Sequence, residues 1–272
     1  VRRREAPPHT VWVLICPDTS GYGYKKAKCS QIAHPYNSVQ IFSMQKLVRK
    51  SLDHLNSWFN FRGSPVAIAS LVGCLILLII LGWLFEEVWE KEAFSFDTNV
   101  LLWIHQSANP LLDSIMLTIT GLANPPMVAA ILVSTTFWLW IKRKYLQLKV
   151  FALICIGGIA FNVGLKLVFT KTRPHLWNQL IVETTFSFPS GHALGSSIMY
   201  GFLAYLLATE FPRFSRLIYT AMIGLILMIG FSRLYLGVHW LTDVIAGYLV
   251  GFLWLVTCIY ILKRNLVTPD ES

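Results

Sequence analysis

Residues 148–174 read LKVFALICIGGIAFNVGLKLVFTKTRP, and between Lys149 and Lys166 the stretch carries no charge. Its length suits the roughly 20 residues that cross about 30 Å of hydrocarbon at about 1.5 Å per residue. A helix apolar on every side belongs in lipid or in a deep core. With the span set at 148–169, the same pattern recurs at 65–85, 125–142, 192–210, 215–232 and 239–262. The chain therefore reads as all-α, a polytopic membrane bundle of about six transmembrane helices. A shorter apolar run at 111–122 stops before Asn124-Pro125-Pro126 and reads as an interfacial or re-entrant helix. A seventh span is the alternative, but it puts Lys142, Arg143 and Lys144 on the side opposite the basic N-terminal flank.

Composition agrees. The 272 residues are 55% hydrophobic and 14% charged, with a mean hydropathy of +0.56, too apolar for an ordinary soluble domain. A net charge of +9 would suggest nucleic acid in a soluble protein. Here the basic residues fall between apolar runs, so the expected partners are the bilayer, lipid headgroups and phosphate, with no nucleic acid. Cys74, Cys155 and Cys258 sit inside spans and Cys16 and Cys29 near the N-terminus, with neither zinc-ligand spacing nor a disulfide framework.

Residues 1–43 have no sustained period and are expected to be a disordered extension or upstream translation, since Met44 with Lys46, Arg49 and Lys50 resembles a natural start. Residues 44–64 then form a basic cytoplasmic flank, 65–262 the membrane domain and 263–272 a cytoplasmic tail. Positive charge orients the spans. With the N-terminus inside, the inner side holds Lys46, Arg49, Lys50, Arg62, Lys142, Arg143, Lys144, Lys149, Arg213, Arg216, Lys263 and Arg264. The outer side holds only Lys91, Lys171, Arg173 and Arg233, beside an acidic first loop with Glu86, Glu87, Glu90, Glu92 and Asp97. Both termini are thus expected in the cytoplasm, with the plasma membrane as location.

Three charged segments face outward together: Lys166 to Pro174, Pro189-Ser190-Gly191-His192, and Ser232 to Asp243. Each charge at membrane depth costs about 2.5 to 3.5 kcal/mol on insertion scales, so a cluster calls for a reason, and an anion site supplies one. Lys166 and Arg173 are about two helical turns apart, so one helix face can present both, with the outgoing loop starting at Arg173 because Pro174 disfavours helix there. Guanidinium grips two phosphate oxygens and lysine adds a compact charge; alone, Lys166 reads equally well as a snorkelling side chain. Ser190 suits an N-cap and Gly191 admits an anion to the helix N-terminus, with His192 beside it as a proton donor; by itself this is a plain loop-to-helix junction. His239 and Asp243, four apart, share a helix face, and a carboxylate on one ring nitrogen leaves the other free to attack. The isolated pair reads rather as an interfacial histidine with a helix-stabilising carboxylate.

Together the segments match Lys-x6-Arg-Pro, Pro-Ser-Gly-His and Ser-Arg-x5-His-x3-Asp at every fixed position, in order. Over residues 95–262 the chain resembles the type 2 phosphatidic acid phosphatase superfamily, the lipid phosphate phosphatases. That resemblance implies phosphate binding by Lys166, Arg173, Ser190, Gly191 and Arg233. It gives His192 as general acid, His239 as nucleophile forming a phosphohistidine, and Asp243 as its orienting carboxylate, in a six-helix membrane fold with no metal or other cofactor. The implied activity is hydrolysis of a lipid phosphomonoester or diphosphate, of the phosphatidic acid, phosphatidylglycerol phosphate or undecaprenyl diphosphate type. Lipid-to-lipid phosphotransfer stays open, and an inactive lipid-binding relative is weakened by the intact His192, His239 and Asp243. A vanadium haloperoxidase has a similar pocket, but the peroxidases resembled are soluble. Specificity is expected in residues 86–124 and 175–188. His105 and His175 read as solvated loop residues, and Asn162 and Gly164 as helix-packing residues.

Overall fold

The computed structural model describes residues 65–89 and 95–267. The expectations for 1–64 and 268–272, and the charges at Glu90, Lys91 and Glu92, lie outside the described residues. By its contacts the chain divides into Val1–Val72 and Gly73–Ser272. The first unit is described only over the opening of α1, and the second holds the remaining helices and the site.

The described helices are α1 (Pro65–Trp89), α2 (Ser95–His105), α3 (Pro110–Gly121), α4 (Pro125–Ile141), α5 (Tyr145–Phe169), α6 (Gly191–Glu210), α7 (Ser215–Tyr235) and α8 (Leu241–Val267). Every expected span is a helix, and the described residues contain no strand. The run expected as interfacial or re-entrant is α3, a separate helix with Pro110 in its first turn and Asn109 as N-cap, whose side chain accepts from Leu112 N at 3.0 Å. At about 1.5 Å per residue it is too short to cross alone, and Asn124-Pro125 starts a new helix after it. The protein is an integral membrane protein. Five stretches are long and apolar enough to cross, Val72–Trp89, Pro110–Ile141, Tyr145–Phe169, Pro212–Tyr235 and Leu241–Leu266. Large side chains such as Ile156, Ile159, Val163 and Leu167 lie exposed on α5, as a lipid-facing surface requires.

Helix α6 is outside those five stretches although it has 20 residues, because glycines, serines and tyrosines dilute its hydropathy. Its place in the fold explains the composition. Leu194, Ile198, Phe202 and Leu206, four apart, form one buried stripe against Phe151 and Ile154 of α5 and Ala246, Val250, Leu255 and Cys258 of α8. Gly247 and Gly251 bring α8 close: a Cβ at Gly247 would lie 2.7 Å from the Ser190 carbonyl oxygen, and one at Gly251 2.8 Å from that of Leu194. Small residues spaced by four allow such backbone approach in membrane bundles. Asp243 is one helical step earlier on the same face, so this packing also sets it against Ser190, whose N–H donates to the Asp243 carbonyl at 3.0 Å.

Several boundaries near the site differ from expectation, among them the ends of α1 at Trp89 and α7 at Tyr235, beyond the expected 85 and 232. α5 ends at Phe169, where the span was expected to end, and Thr170 turns left-handed (φ 45°), so the loop starts there and not at Arg173. α8 begins two residues after the expected start and leaves His239 in the connection ahead of it. It also continues to Val267, taking Lys263 and Arg264 into the helix. Glu86 and Glu87 likewise belong to the last turn of α1, and Asp97 is buried in α2 rather than lying in an acidic loop.

Candidate active site

The site is built where α5, α6, α7 and α8 end together. Asp243 occupies the third position of α8, and its Oδ2 accepts from the Trp240 N–H at 2.9 Å, satisfying a donor that the helix itself cannot. The same oxygen accepts from Ser187 Oγ and lies 3.4 Å from His239 Nδ1. His239 is 2% exposed and Asp243 fully buried. On the other side of the ring, His239 Nε2 lies 3.2 Å from Arg173 Nη1. Burial is the main cause that lowers the His239 pKa, to about 4. Asp243 opposes that shift, and Arg173 and Arg233 add to it. The imidazole is therefore neutral near pH 7.

Arg173 comes from the loop 170–190 and not from a shared face with Lys166. Its side chain is held by Thr185 O and Val238 O, each at 2.7 Å. Lys166, in the last turn of α5, donates to Phe186 O and to Thr185 Oγ1 at 3.3 Å, so the loop brings the two cations together. Burial pushes the Arg173 pKa down from its ordinary value, against the pull of Glu183 and Asp243. Arg233, 1% exposed in α7, donates to Thr120 Oγ1 at 2.8 Å and pairs with Glu183. Glu183 also lies 3.9 Å from Arg173 Nη2. Burial favours the neutral form of Glu183, but the Arg233 and Arg173 charges outweigh it and hold the carboxyl below its ordinary range.

Ser190 stands at the N-cap of α6, but its hydroxyl makes no capping bond, which corrects the expected role. Ser190 Oγ and Arg233 Nε are buried without hydrogen-bond partners among the described residues. A Cβ on Gly191 would sit 3.3 Å from the Asn162 side-chain amide, so glycine here keeps the helix entrance open beside α5. His192 Nε2 lies 2.9 Å from Asn124 Oδ1. His192 is within electrostatic reach of Arg233, His239, Arg173 and Lys166. His105 is not simply solvated: it stacks on Trp177, with ring centroids 4.0 Å apart. Trp177 in turn covers Gly237 (φ 70°), whose turn hands the chain to His239.

Sequence reading missed Glu183, Asn124, Ser187 and Thr185 as partners, and noted Lys171 and Asp97 only as outer charges. Most lie in the segments 86–124 and 175–188 expected to carry specificity, but no spacing links them to the motifs. Among the described residues, no group of three or more His, Cys, Asp or Glu side chains is placed to hold a metal ion.

Arginines and a lysine gathered around a buried histidine, at one end of a membrane-spanning bundle, are the architecture of an integral membrane phosphoric ester or diphosphate hydrolase. The PAP2 superfamily matches residues 147–266. Phosphatidylglycerophosphatase B of Bacillus subtilis is 31% identical over 147 residues, 53% of this chain and 72% of that protein. Undecaprenyl-diphosphatase BcrC of the same organism is 32% identical over 155 residues, 54% and 75% of the two chains. The crystal structure of the Bacillus subtilis transmembrane PAP2 type phosphatidylglycerolphosphate phosphatase superposes with a TM-score of 0.60 at 25% identity, covering 73% of this chain and 98% of that one. The chain belongs to the PAP2 superfamily.

Proposed function

We propose that this phosphatase removes phosphate from a lipid phosphomonoester or lipid diphosphate, with His239 Nε2 attacking phosphorus. The observation that carries this reading is the placement of His239 between Asp243 and Arg173. Asp243 faces Nδ1–H as a hydrogen-bond acceptor and so puts the lone pair on Nε2, which here accepts from Arg173 Nη1 at 3.2 Å, a guanidinium that can turn to a phosphate oxygen as phosphorus approaches the ring. Lys166, Arg173, Arg233, Ser190 Oγ and the Gly191 N–H bind the other phosphate oxygens, and the unpartnered Ser190 Oγ and Arg233 Nε suit that task. Attack forms the phosphorus–nitrogen bond of a phosphohistidine and breaks the bond to the lipid oxygen, which His192 protonates. Water, giving its proton back to His192, then releases inorganic phosphate and restores His239.

A cleft of about 490 Å³ supports a lipid substrate, since it runs from Lys166, Arg173 and Glu183 to Val163 and Leu167. Those two side chains are exposed on the lipid face of α5, where acyl or isoprenoid chains can lie while the headgroup reaches the cations. The named relatives give phosphatidylglycerol phosphate and undecaprenyl diphosphate as the first substrates to try. The purified protein should release phosphate from at least one of these or from phosphatidic acid, with vanadate inhibiting and a chelator leaving turnover intact. No release from any of them, or chelator loss restored by one metal, would refute the reading.

The same proposal has the site facing the extracytoplasmic side of the plasma membrane, with Lys144 and Lys263 at the inner end. Lys144 pairs with Glu210 and Lys263 lies over the Tyr205 ring at 6.0 Å, so the basic turns share the bundle end away from the motifs. Cysteines substituted at the exposed His175 and Asn178 should react with an impermeant thiol reagent added to intact cells. Reaction only after the membrane is opened would reverse the orientation.

A further inference from the structure

Asp243 divides its two carboxylate oxygens. Oδ2 faces His239, as described, while Oδ1 lies 3.1 Å from Lys171 Nζ. That ammonium also stands 3.6 Å from Asp97 Oδ2 and donates to Thr242 Oγ1 at 2.8 Å. Asp97 holds Thr242 twice, accepting from its N–H at 3.1 Å and its hydroxyl at 2.7 Å. The cluster is out of water: Asp97 is 1% and Asp243 0% exposed, and the Lys171 side chain 13%. One ammonium thus serves two buried carboxylates, and each receives only part of its charge. At these distances and this burial, electrostatic coupling is far stronger than between solvated side chains.

We propose that Lys171 and Asp97 are positioning residues for the phosphatase reaction, acting as a relay in which Asp97, through Lys171, sets how much negative charge Asp243 presents to His239. The inference rests on His239 as the nucleophile. Lys171 keeps Asp243 ionised without letting its full charge draw a proton onto the attacking imidazole. Asp97 anchors the ammonium and moderates it, and ties α2 to the first turn of α8. Burial raises the Asp97 pKa, and the Thr242 hydrogen bond and then Lys171 only partly offset this. A purely structural role is the competing account, because Asp97 also satisfies an otherwise unpaired N–H at the start of α8.

The pH profile separates the two. His239 faces Asp243 from α8, Arg173 and Glu183 from the loop, Arg233 from α7 and His192 from α6, with Lys166 of α5 near the same cluster. None of these changes in Lys171→Met or Asp97→Asn. In Lys171→Met two uncompensated carboxylates favour protonated His239, so the acid limb of kcat/KM should move up by about one pH unit. In Asp97→Asn, which retains an oxygen for the Thr242 N–H, Lys171 serves Asp243 alone and the limb should move down. With phosphatidic acid as substrate, kcat of Lys171→Met should fall about 10- to 100-fold, as when the second partner of a metal-bound histidine is lost, with KM little changed. Lys171→Arg should recover most of it. Limbs that stay in place or move in the same direction overturn the relay. So does a raised KM with kcat intact, which would make Lys171 a direct phosphate ligand. If Lys171→Met does not fold, an Asp97→Asn limb that fails to move down is sufficient to overturn it. Wild type inert on every lipid phosphate would instead remove the phosphatase reading on which the relay rests.

Discussion

His239→Ala should lose turnover by on the order of 10⁴-fold or more on every substrate, the scale on which removal of a nucleophile acts in covalent catalysis. No other described side chain stands between an orienting carboxylate and a phosphate-binding guanidinium as this imidazole does. In rapid-quench experiments with labelled substrate, wild type should yield phosphoprotein that survives base and is lost in acid, as a phosphorus–nitrogen bond is. The variant should yield none. Labelled phosphoprotein in His239→Ala would place the nucleophile elsewhere. The pH dependence follows with its sign. The attacking form is the neutral one, and the buried ring gives up its proton above about pH 4, below the ordinary histidine value. With an aryl phosphate, whose departure needs no proton from His192, and after correction for ionisation of the substrate phosphate, kcat/KM should therefore hold from pH 7 down to 5, and fall only as the pH approaches the His239 value. An acid limb at the ordinary histidine value would mean that the ring is solvated in the working enzyme.

His192→Ala should lose about 10² to 10⁴-fold with a lipid phosphomonoester, the range of general acid catalysis, and far less with an aryl phosphate. An alkoxide departs poorly without a proton, whereas a phenolate departs readily. His192 sits in the first turn of α6 with Nε2 against Asn124 Oδ1. With Nε2–H held by Asn124 Oδ1, donation to the leaving oxygen falls to the other ring nitrogen, so His192 acts as the imidazolium, favoured by the bound phosphate charge, and becomes neutral as the lipid oxygen departs. Equal losses across leaving groups of different basicity would show that His192 acts through binding or structure and not as the acid.

Much of this site was legible because its main residues stand in fixed local relations. The three motif segments, the four-residue separation of His239 and Asp243 and the loop-to-helix junction at Ser190 are short-range patterns, and each forms near the end of a helix. Three local readings still failed. His239 and Asp243 were expected on one helix face, but α8 starts at Leu241, and the turn ahead of it brings the ring to the carboxylate. The two-turn spacing of Lys166 and Arg173 suggested one helix face, but Thr170 turns the chain away before Arg173, and the loop carbonyls bring the cations together instead. Ser190 fits an N-cap by type, but its hydroxyl makes no capping bond. A cap is a preference that burial beside other polar groups can override.

By itself, the sequence determined an all-helical membrane protein, the order of its spans, its membership of a phosphatase family and the three segments that meet. These follow from hydrocarbon thickness, which demands long apolar helices, and from residue spacings that need no knowledge of distant contacts. Only the tertiary structure decided which charges neutralise one another. Glu183 bridges Arg173 and Arg233, Asn124 takes His192, and Asp97 and Lys171 reach Asp243 from segments far away in the chain. The physical reason is that a buried charge must find a partner wherever packing brings one within a few ångströms, and that partner is set by how α2, the 170–190 loop and α8 pack, not by any spacing along the chain.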